Sequence, residues 1–528
     1  MISSRRHRFL ITSVCLLLAS GVSAVRSQEA EVRSSAQTAS ALEAANQLYR
    51  EGRLTAAAEA FKAIIKSDDQ SALAYVGLAR ASLALKNPEE ATDAVQKAAR
   101  LAPSLEAVHV ALGEVYFRQG KLAEAEKEFT PLVKGNSKEA RAYLGLSRFY
   151  HAVSFYRFAK GAIDRAHELD PGDPDILKTW IRTLSGAEQI RALQAYLAAH
   201  PDEDSQQHSS ELEHLNVLQN GSSEGFHPCR LLTKVNQAEI KMDRLYYDAR
   251  RIRAYALSVK INEGSGKLLL DTGASGIVID RSLAEKAGIK PITNVKVKGV
   301  GDKAPAGAYL GYADAVKIGN LEFQDCYVRV IDRGSVADSD GLIGADVFSH
   351  FLVELDYPDE RIRLSELPQR PEVSSTGDLS SFKNRYVAPV MKNYTAVYRF
   401  GHMLLVYTEL NHPPGKLFLL DTGAASNTIS PAAAREFTRV SADADTRVRG
   451  VNGSVKDVFR ADDLTFQFGH LSQKNLDVVS FDTRSISNSI GVEVSGTLGF
   501  AMLRLLDIKI DYRDGLVDFS YDPNRIKR

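Results

Sequence analysis

The stretch KLLLDTGASGIVID, residues 267–280, runs an apolar segment into a tight acidic turn and out again, and KLFLLDTGAASNTIS, 416–430, repeats it. A carboxylate set between apolar strands is costly to bury unless something holds it. The surroundings repeat as well. Helix N-caps follow at Asp280, before RSLAEKAG, and at Ser430, before PAAAREF. GLIG ends at Gly344 and GTLG at Gly499, and equally far beyond each stands an Asp–Tyr pair, Asp356–Tyr357 and Asp511–Tyr512, expected to open a strand–turn–strand. After about residue 245 the texture is short alternating apolar runs broken by turn residues, which argues for β structure. The second half is therefore one β lobe used twice, and the partner of Asp271 is Asp421.

These motifs resemble the aspartic proteases, in particular the retropepsin-like branch with its DTGA loops and apolar-apolar-Gly motif, over roughly residues 246–525. The resemblance implies a two-lobed all-β protease fold, with lobe 1 at 246–368 and lobe 2 at 369–525. Both lobes lie on one chain, as in pepsin-like enzymes, so the active site is expected within one molecule. It further implies Asp271 and Asp421 as the catalytic pair, with Thr272 and Thr422 hydrogen-bonding across the lobe interface. Gly273 and Gly423, lacking a Cβ, would let the loops meet; LIG and TLG would pack behind them. Flaps are expected at 297–311 and 448–458, with Val300 and Val451 near the tips and Tyr309 the nearest flap-tyrosine candidate.

Two carboxyls about 3 Å apart share one proton and titrate as a pair, so one can take a proton from water while the other gives one to a peptide carbonyl. Such chemistry calls for no metal or other cofactor. HExxH does not occur in the sequence, GASGI lacks the final glycine of a GxSxG motif, and NEGSGKL lacks the spacing of a phosphate loop. Pepsin-like enzymes usually place Ser or Thr after DTG, whose hydroxyl lowers the pKa of the Asp. Ala274 and Ala424 stand there instead, so a higher pKa and activity toward neutral pH are expected.

The first half has a different periodicity. Repeats of 34 residues begin at Thr38, Ala72, Glu106 and Ala140. Ala57, Ala91, Ala125 and Ala159 share one column, Ala45, Ala79, Gly113 and Ser147 another, and Phe61, Val95, Phe129 and Ile163 a third. Small residues let antiparallel helices approach and the large ones fill between them, while Pro103 and Pro171 stop the second helix. The pattern resembles the tetratricopeptide repeat, implying an α-solenoid at 38–200, with Pro174–His200 around Trp180 as its terminal cap. Such a solenoid either grips a peptide or partner protein or serves as a spacer. Residues 201–245, polar and Gly/Ser-containing in their first part, are expected to be a linker.

Arg5, Arg6 and Arg8 precede an apolar run from Phe9 to Ala19, and VSA ends at Ala24. This pattern predicts a signal peptide over 1–24 and export to the periplasm or cell exterior, the alternative being an uncleaved anchor. Basic and acidic side chains balance at 66 each, which gives no reason to expect nucleic acid as a partner, and the mature chain is expected to have no membrane span. Cys229 and Cys326 could pair in an oxidising compartment, though two partly buried free thiols is the simpler reading. The functional expectation is an exported aspartic endopeptidase with a polypeptide substrate and a possible protein partner on the solenoid. The competing reading is a non-catalytic peptide-binding scaffold.

Overall fold

The computed structural model describes residues 36–201, 203, 205–220, 229–297, 299–301, 306–331, 339–371, 383–450 and 453–525. The expected signal peptide, 1–24, lies outside these residues. The chain divides into two compact units: residues up to Val115 together with a short piece ending at Ser205, and Tyr116–Pro201 together with everything from Gln206 onward. The division does not fall where the composition changes.

The first unit is a stack of antiparallel helices: α1 over 36–50, α2 (Leu54–Ser67), α3 (Ala72–Ala84), α4 (Pro88–Leu101) and most of α5 (Glu106–Arg118). The predicted columns form its core, with Ala45, Ala57, Phe61, Ala79, Ala91 and Val95 all buried. Local signals start and stop the helices. Asn87 accepts from the Glu90 amide at 3.3 Å with Pro88 following, and α4 ends just before Pro103.

The later repeats belong to the second unit: α6 (Leu122–Lys134), α7 (Ala140–Ala152), α8 (Tyr156–Leu169), α9 (Pro174–Ile181) and α10 (Gly186–Ala199). The expected linker, 201–245, is largely structured. Residues Ser205–Asn220 form α11, whose Leu215 packs with Ile181, Leu193 and Tyr196 to close the end of the array. Its polar face hides a three-residue leucine spacing, Leu212, Leu215 and Leu218. Val217 of the same helix packs toward Val295 and Leu310, and Glu213 accepts from the Lys296 amide at 2.9 Å. Beyond it, strands Arg230–Leu231, Gln237–Lys241 and Asp243–Tyr246 already belong to the β sheets, so lobe 1 begins well before residue 246.

Cys229 and Cys326 are bonded to each other, contrary to the free thiols expected. Pairing of Arg230 with Gln324 and of Leu231 with Phe323 brings the two cysteines together, a register that sequence spacing does not disclose. Closing a loop of 97 residues restricts the unfolded chain by about 4–5 kcal/mol.

The β half repeats its topology as the duplication requires. In lobe 1, Gly264–Asp271 runs parallel to Gly341–Gly344 with Asp271 opposite Gly344, and Ile277–Asp280 flanks the latter antiparallel. In lobe 2, His412–Asp421 runs parallel to Gly496–Gly499 with Asp421 opposite Gly499, and Thr428–Ile429 takes the antiparallel place. Asp280 accepts from the Leu283 amide at 2.7 Å and Ser430 from the Ala433 amide at 3.2 Å, as expected of N-caps.

A six-stranded sheet joins the lobes, with Phe351–Asp356 antiparallel to Asp507–Asp511 at its centre. The Asp–Tyr motifs close those strands and do not open them. Asp356 and Asp511 accept from the amides of Asp359 and Asp514, tightening the turn that follows. Burial would raise the pKa of Asp356, but hydrogen bonds from Arg525 and Arg363 outweigh it and hold the carboxyl below its ordinary range. One continuous apolar core, from Leu257 and Ile343 to Leu420 and Val517, runs through both lobes.

Candidate active site

Each acidic turn lies where two strands part. Asp271 and Asp421 end paired strands, and the loops that follow meet each other. Thr272 and Thr422 are each only 1% exposed and form a reciprocal grip. The Thr272 amide donates to the Thr422 hydroxyl at 3.0 Å and the Thr422 amide to the Thr272 hydroxyl at 3.0 Å. Each hydroxyl in turn donates to the opposite strand, Thr272 to the Leu420 carbonyl at 2.7 Å and Thr422 to the Leu270 carbonyl at 3.1 Å.

The loops approach so closely that side chains are excluded. A Cβ on Gly423 would stand 2.5 Å from Oδ2 of Asp271, and one on Gly273 would stand 3.0 Å from Cγ of Asp421. Behind the loops, a Cβ on Gly499 would meet the Ser426 carbonyl at 2.2 Å and one on Gly344 the Ala274 carbonyl at 2.5 Å, so the LIG and TLG glycines make room for the acidic turns.

The two carboxyls are half-buried and close to each other, since the Cβ position at Gly273 lies 3.1 Å from Oδ1 of Asp421 and 3.2 Å from Oδ1 of Asp271. Burial raises the pKa of Asp271 above the ordinary carboxylate range, and the charge of Asp421 raises it further. Burial also raises Asp421, against the pull of backbone amides. Asp271 accepts from the Gly273 amide at 2.7 Å, while Asp421 accepts from those of Gly423 at 3.0 Å and Ala424 at 2.9 Å. The second amide makes Asp421 the better seat for the negative charge, leaving the shared proton to Asp271.

Residues 257–347 and 409–501 each match the family model described as Aspartyl protease. The second half carries a duplicated aspartyl protease domain. Residues 42–106 and 110–174 match the Tetratricopeptide repeat model, so the protease domain follows an array of these repeats. A curated relative, DnaJ homolog subfamily C member 3 of Rattus norvegicus, is 27% identical over 129 residues, 24% of this chain and 26% of that protein. The chain thus spans about a quarter of that relative's length. Among solved structures, a thermophilic TPR protein of Thermus thermophilus is 21% identical, covering 33% of this chain and 98% of that one at a TM-score of 0.27. PilF of Pseudomonas aeruginosa is 15% identical over 34% of this chain and 84% of that one at a TM-score of 0.24.

The protease lobes also supply two hairpins at the expected flap positions. Pro291–Val297 pairs with Ala306–Ile318, and Arg449–Gly450 with Gly453–Ser454. The two come together at Val300 and Gly450, where a Cβ on Gly450 would stand 2.5 Å from the Val300 carbonyl. Val451 lies outside the described residues. Tyr309 stands in the stem of the first hairpin, its hydroxyl in the field of Arg281 and Glu285, and not at the tip. Tyr309 is therefore a stem residue and not a flap-tip tyrosine.

The protease domain has further residues around the first acidic turn that the sequence did not disclose. Asp346 accepts from the Ser275 hydroxyl at 2.9 Å and the Gly276 amide at 2.9 Å, and Arg329 donates to the Ser275 carbonyl at 3.2 Å. His402, from the turn between Tyr398–Phe400 and Met403–Leu410, sets its Nε2 3.1 Å from the Gly273 carbonyl. Burial lowers its pKa below the ordinary imidazole range; Arg329 acts the same way, against Asp346 and Asp271.

The grip makes a direct prediction. Thr422→Val keeps the shape but leaves the Thr272 amide and the Leu270 carbonyl unpartnered in a buried interface, at about 1–3 kcal/mol each. Denaturant unfolding should show a loss of roughly 2–6 kcal/mol; a change under about 0.5 kcal/mol would mean that the hydroxyl does not hold the lobes together.

Proposed function

We propose that this chain is an exported aspartic endopeptidase that hydrolyses peptide bonds with a water activated between Asp271 and Asp421. The observation that carries the reading is the pair of carboxyls that meet across the lobe interface, each reaching over the other loop's glycine. Asp421, steadied by two amides, takes a proton from the water as its oxygen attacks the peptide carbonyl carbon. Asp271 gives its proton to the carbonyl oxygen, and a tetrahedral diol forms. Return of a proton to the departing nitrogen breaks the C–N bond, leaving a carboxylic acid and an amine. The flap hairpins would close over the substrate and exclude water.

Export is supported by the basic residues and apolar run before Ala24, and by the Cys229–Cys326 disulfide, a feature of oxidising compartments. The tetratricopeptide array is the surface for a protein partner or for the substrate itself.

Incubating the purified chain with a denatured protein and mapping the new termini tests the reading. Because both carboxyls are raised, the singly protonated pair persists to higher pH than two ordinary aspartates allow. Cleavage is therefore expected to continue at about pH 6–7, and activity confined below about pH 4 would contradict this assignment of the pair. Peptide binding without cleavage across that range would favour the scaffold reading.

A further inference from the structure

We propose that His402 is a positioning residue of the acidic site, holding the Asp271 loop through the Gly273 carbonyl, and that the tetratricopeptide helices fix the hairpin that carries it. The inference rests on the peptidase reading of the Asp271–Asp421 pair.

His402 crosses from lobe 2 to lobe 1. A carbonyl can only accept, so Nε2 carries the proton and donates to Gly273, the residue between Thr272 of the grip and Ala274. The amide of that same Gly273 donates to the Asp271 carboxyl at 2.7 Å, so one residue links imidazole and carboxyl through its two backbone groups. The duplication offers no counterpart. The corresponding hairpin of lobe 1, between Asp243–Tyr246 and Ile252–Ile261, contains no histidine. Asp346 has none either, because Ala501 stands at its place after TLG. The charged groups around His402 are Asp271, Asp346 and Arg329.

The hairpin itself is gripped from the repeat side. Phe400 meets Phe117 edge to face with ring centroids 6.3 Å apart. Arg399 donates to the Tyr156 hydroxyl at 3.2 Å, to the Gly401 carbonyl at 2.8 Å and to the Tyr512 carbonyl. Residues 399, 400 and 402, around Gly401, thus tie repeat helices, inter-lobe sheet and acidic turn into one chain of contacts. A shift of the repeat helices on binding a partner would be delivered to the Asp271 loop along it.

The test uses the full chain and its variants His402→Ala, His402→Gln and Phe117→Ala, with Phe117→Ala also combined with His402→Ala. Readouts are kcat and KM on an unfolded protein substrate from about pH 4 to 8, with thermal denaturation as a check of folding. His402→Ala is expected to lower kcat about 10- to 100-fold with KM little changed, as loss of loop position does, and His402→Gln, whose amide N–H can reach the same carbonyl, to recover most of it. Phe117→Ala should lower kcat when His402 is present and add nothing when it is absent. Wild-type kcat in His402→Ala, equal losses in the Ala and Gln variants, or a Phe117→Ala effect identical in both backgrounds would overturn the inference while leaving the peptidase reading intact. A wild-type chain that cleaves nothing would overturn both.

Discussion

Replacing Asp271 by Asn is expected to lower peptide-bond cleavage by about a thousandfold or more, and replacing Asp421 by Asn is expected to do the same. One variant cannot give the shared proton to the carbonyl oxygen, the other cannot take one from water, and each step needs a carboxyl the other cannot replace. Both variants should fold, because the Thr272–Thr422 grip and the loop amides are untouched. They should in fact be more stable near neutral pH. The folded pair has raised pKa values, so the folded state binds more protons than the unfolded one, and its stability falls as pH rises above the unfolded carboxylate value. Removing one charge relieves that penalty at about pH 7 and gives nothing near pH 3. Full activity in either Asn variant would remove the two-carboxyl mechanism; a lower melting temperature at neutral pH would argue that the carboxyls do not repel each other in the folded state.

The second large effect concerns the repeats. A chain beginning at residue 228 contains both protease lobes, yet it is expected to lose cooperative folding. Helices α6–α10 belong to the same compact unit as the lobes. Their removal, with the end of α5, deletes the bond from Arg118 to the Asn488 side chain at 2.5 Å and that from the Glu493 amide to the Arg118 carbonyl at 2.8 Å. It also deletes the bond from the Phe158 amide to Asn384 at 3.3 Å, the Arg399–Tyr156 bond and the Phe117–Phe400 ring contact. At about 1 kcal/mol per hydrogen bond and about 1 for the aromatic pair, the loss is roughly 5 kcal/mol. That is comparable with the whole stability of a marginal domain, about 5–15 kcal/mol. Circular dichroism melts of the full chain and the truncated chain would read it. A truncated chain that melts as sharply and at the same temperature would show that the repeats are an independent appendage.

Whatever the duplication repeats was legible: the strand ends at Asp271 and Asp421, the packing of the LIG and TLG glycines behind the acidic turns, the N-caps at Asp280 and Ser430, and the threonine grip. The repeat columns were legible for the same reason, since Ala57, Ala91 and Ala125 recur at one spacing and are all buried. Features that occur once were not. His402 and Asp346 sit on one acidic turn and have no copy to draw attention to them; the replacement of Asp346 by Ala501 in the second lobe was the available signal. The Cys229–Cys326 bond depends on a strand register across 97 residues. Helix α11 was masked by its polar residues, with Leu215 closing the array and Val217 facing lobe 1.

The most direct test is a carboxyl-carbon NMR titration of aspartate-labelled protein, comparing the wild type with Asp421→Asn. The expected result is that Asp271 stays protonated well above the ordinary carboxylate range in the wild type, and that its titration moves down when the charge of residue 421 is removed. An Asp271 that titrates like a solvent-exposed aspartate, and does so identically in both proteins, would contradict a shared proton between the two lobes.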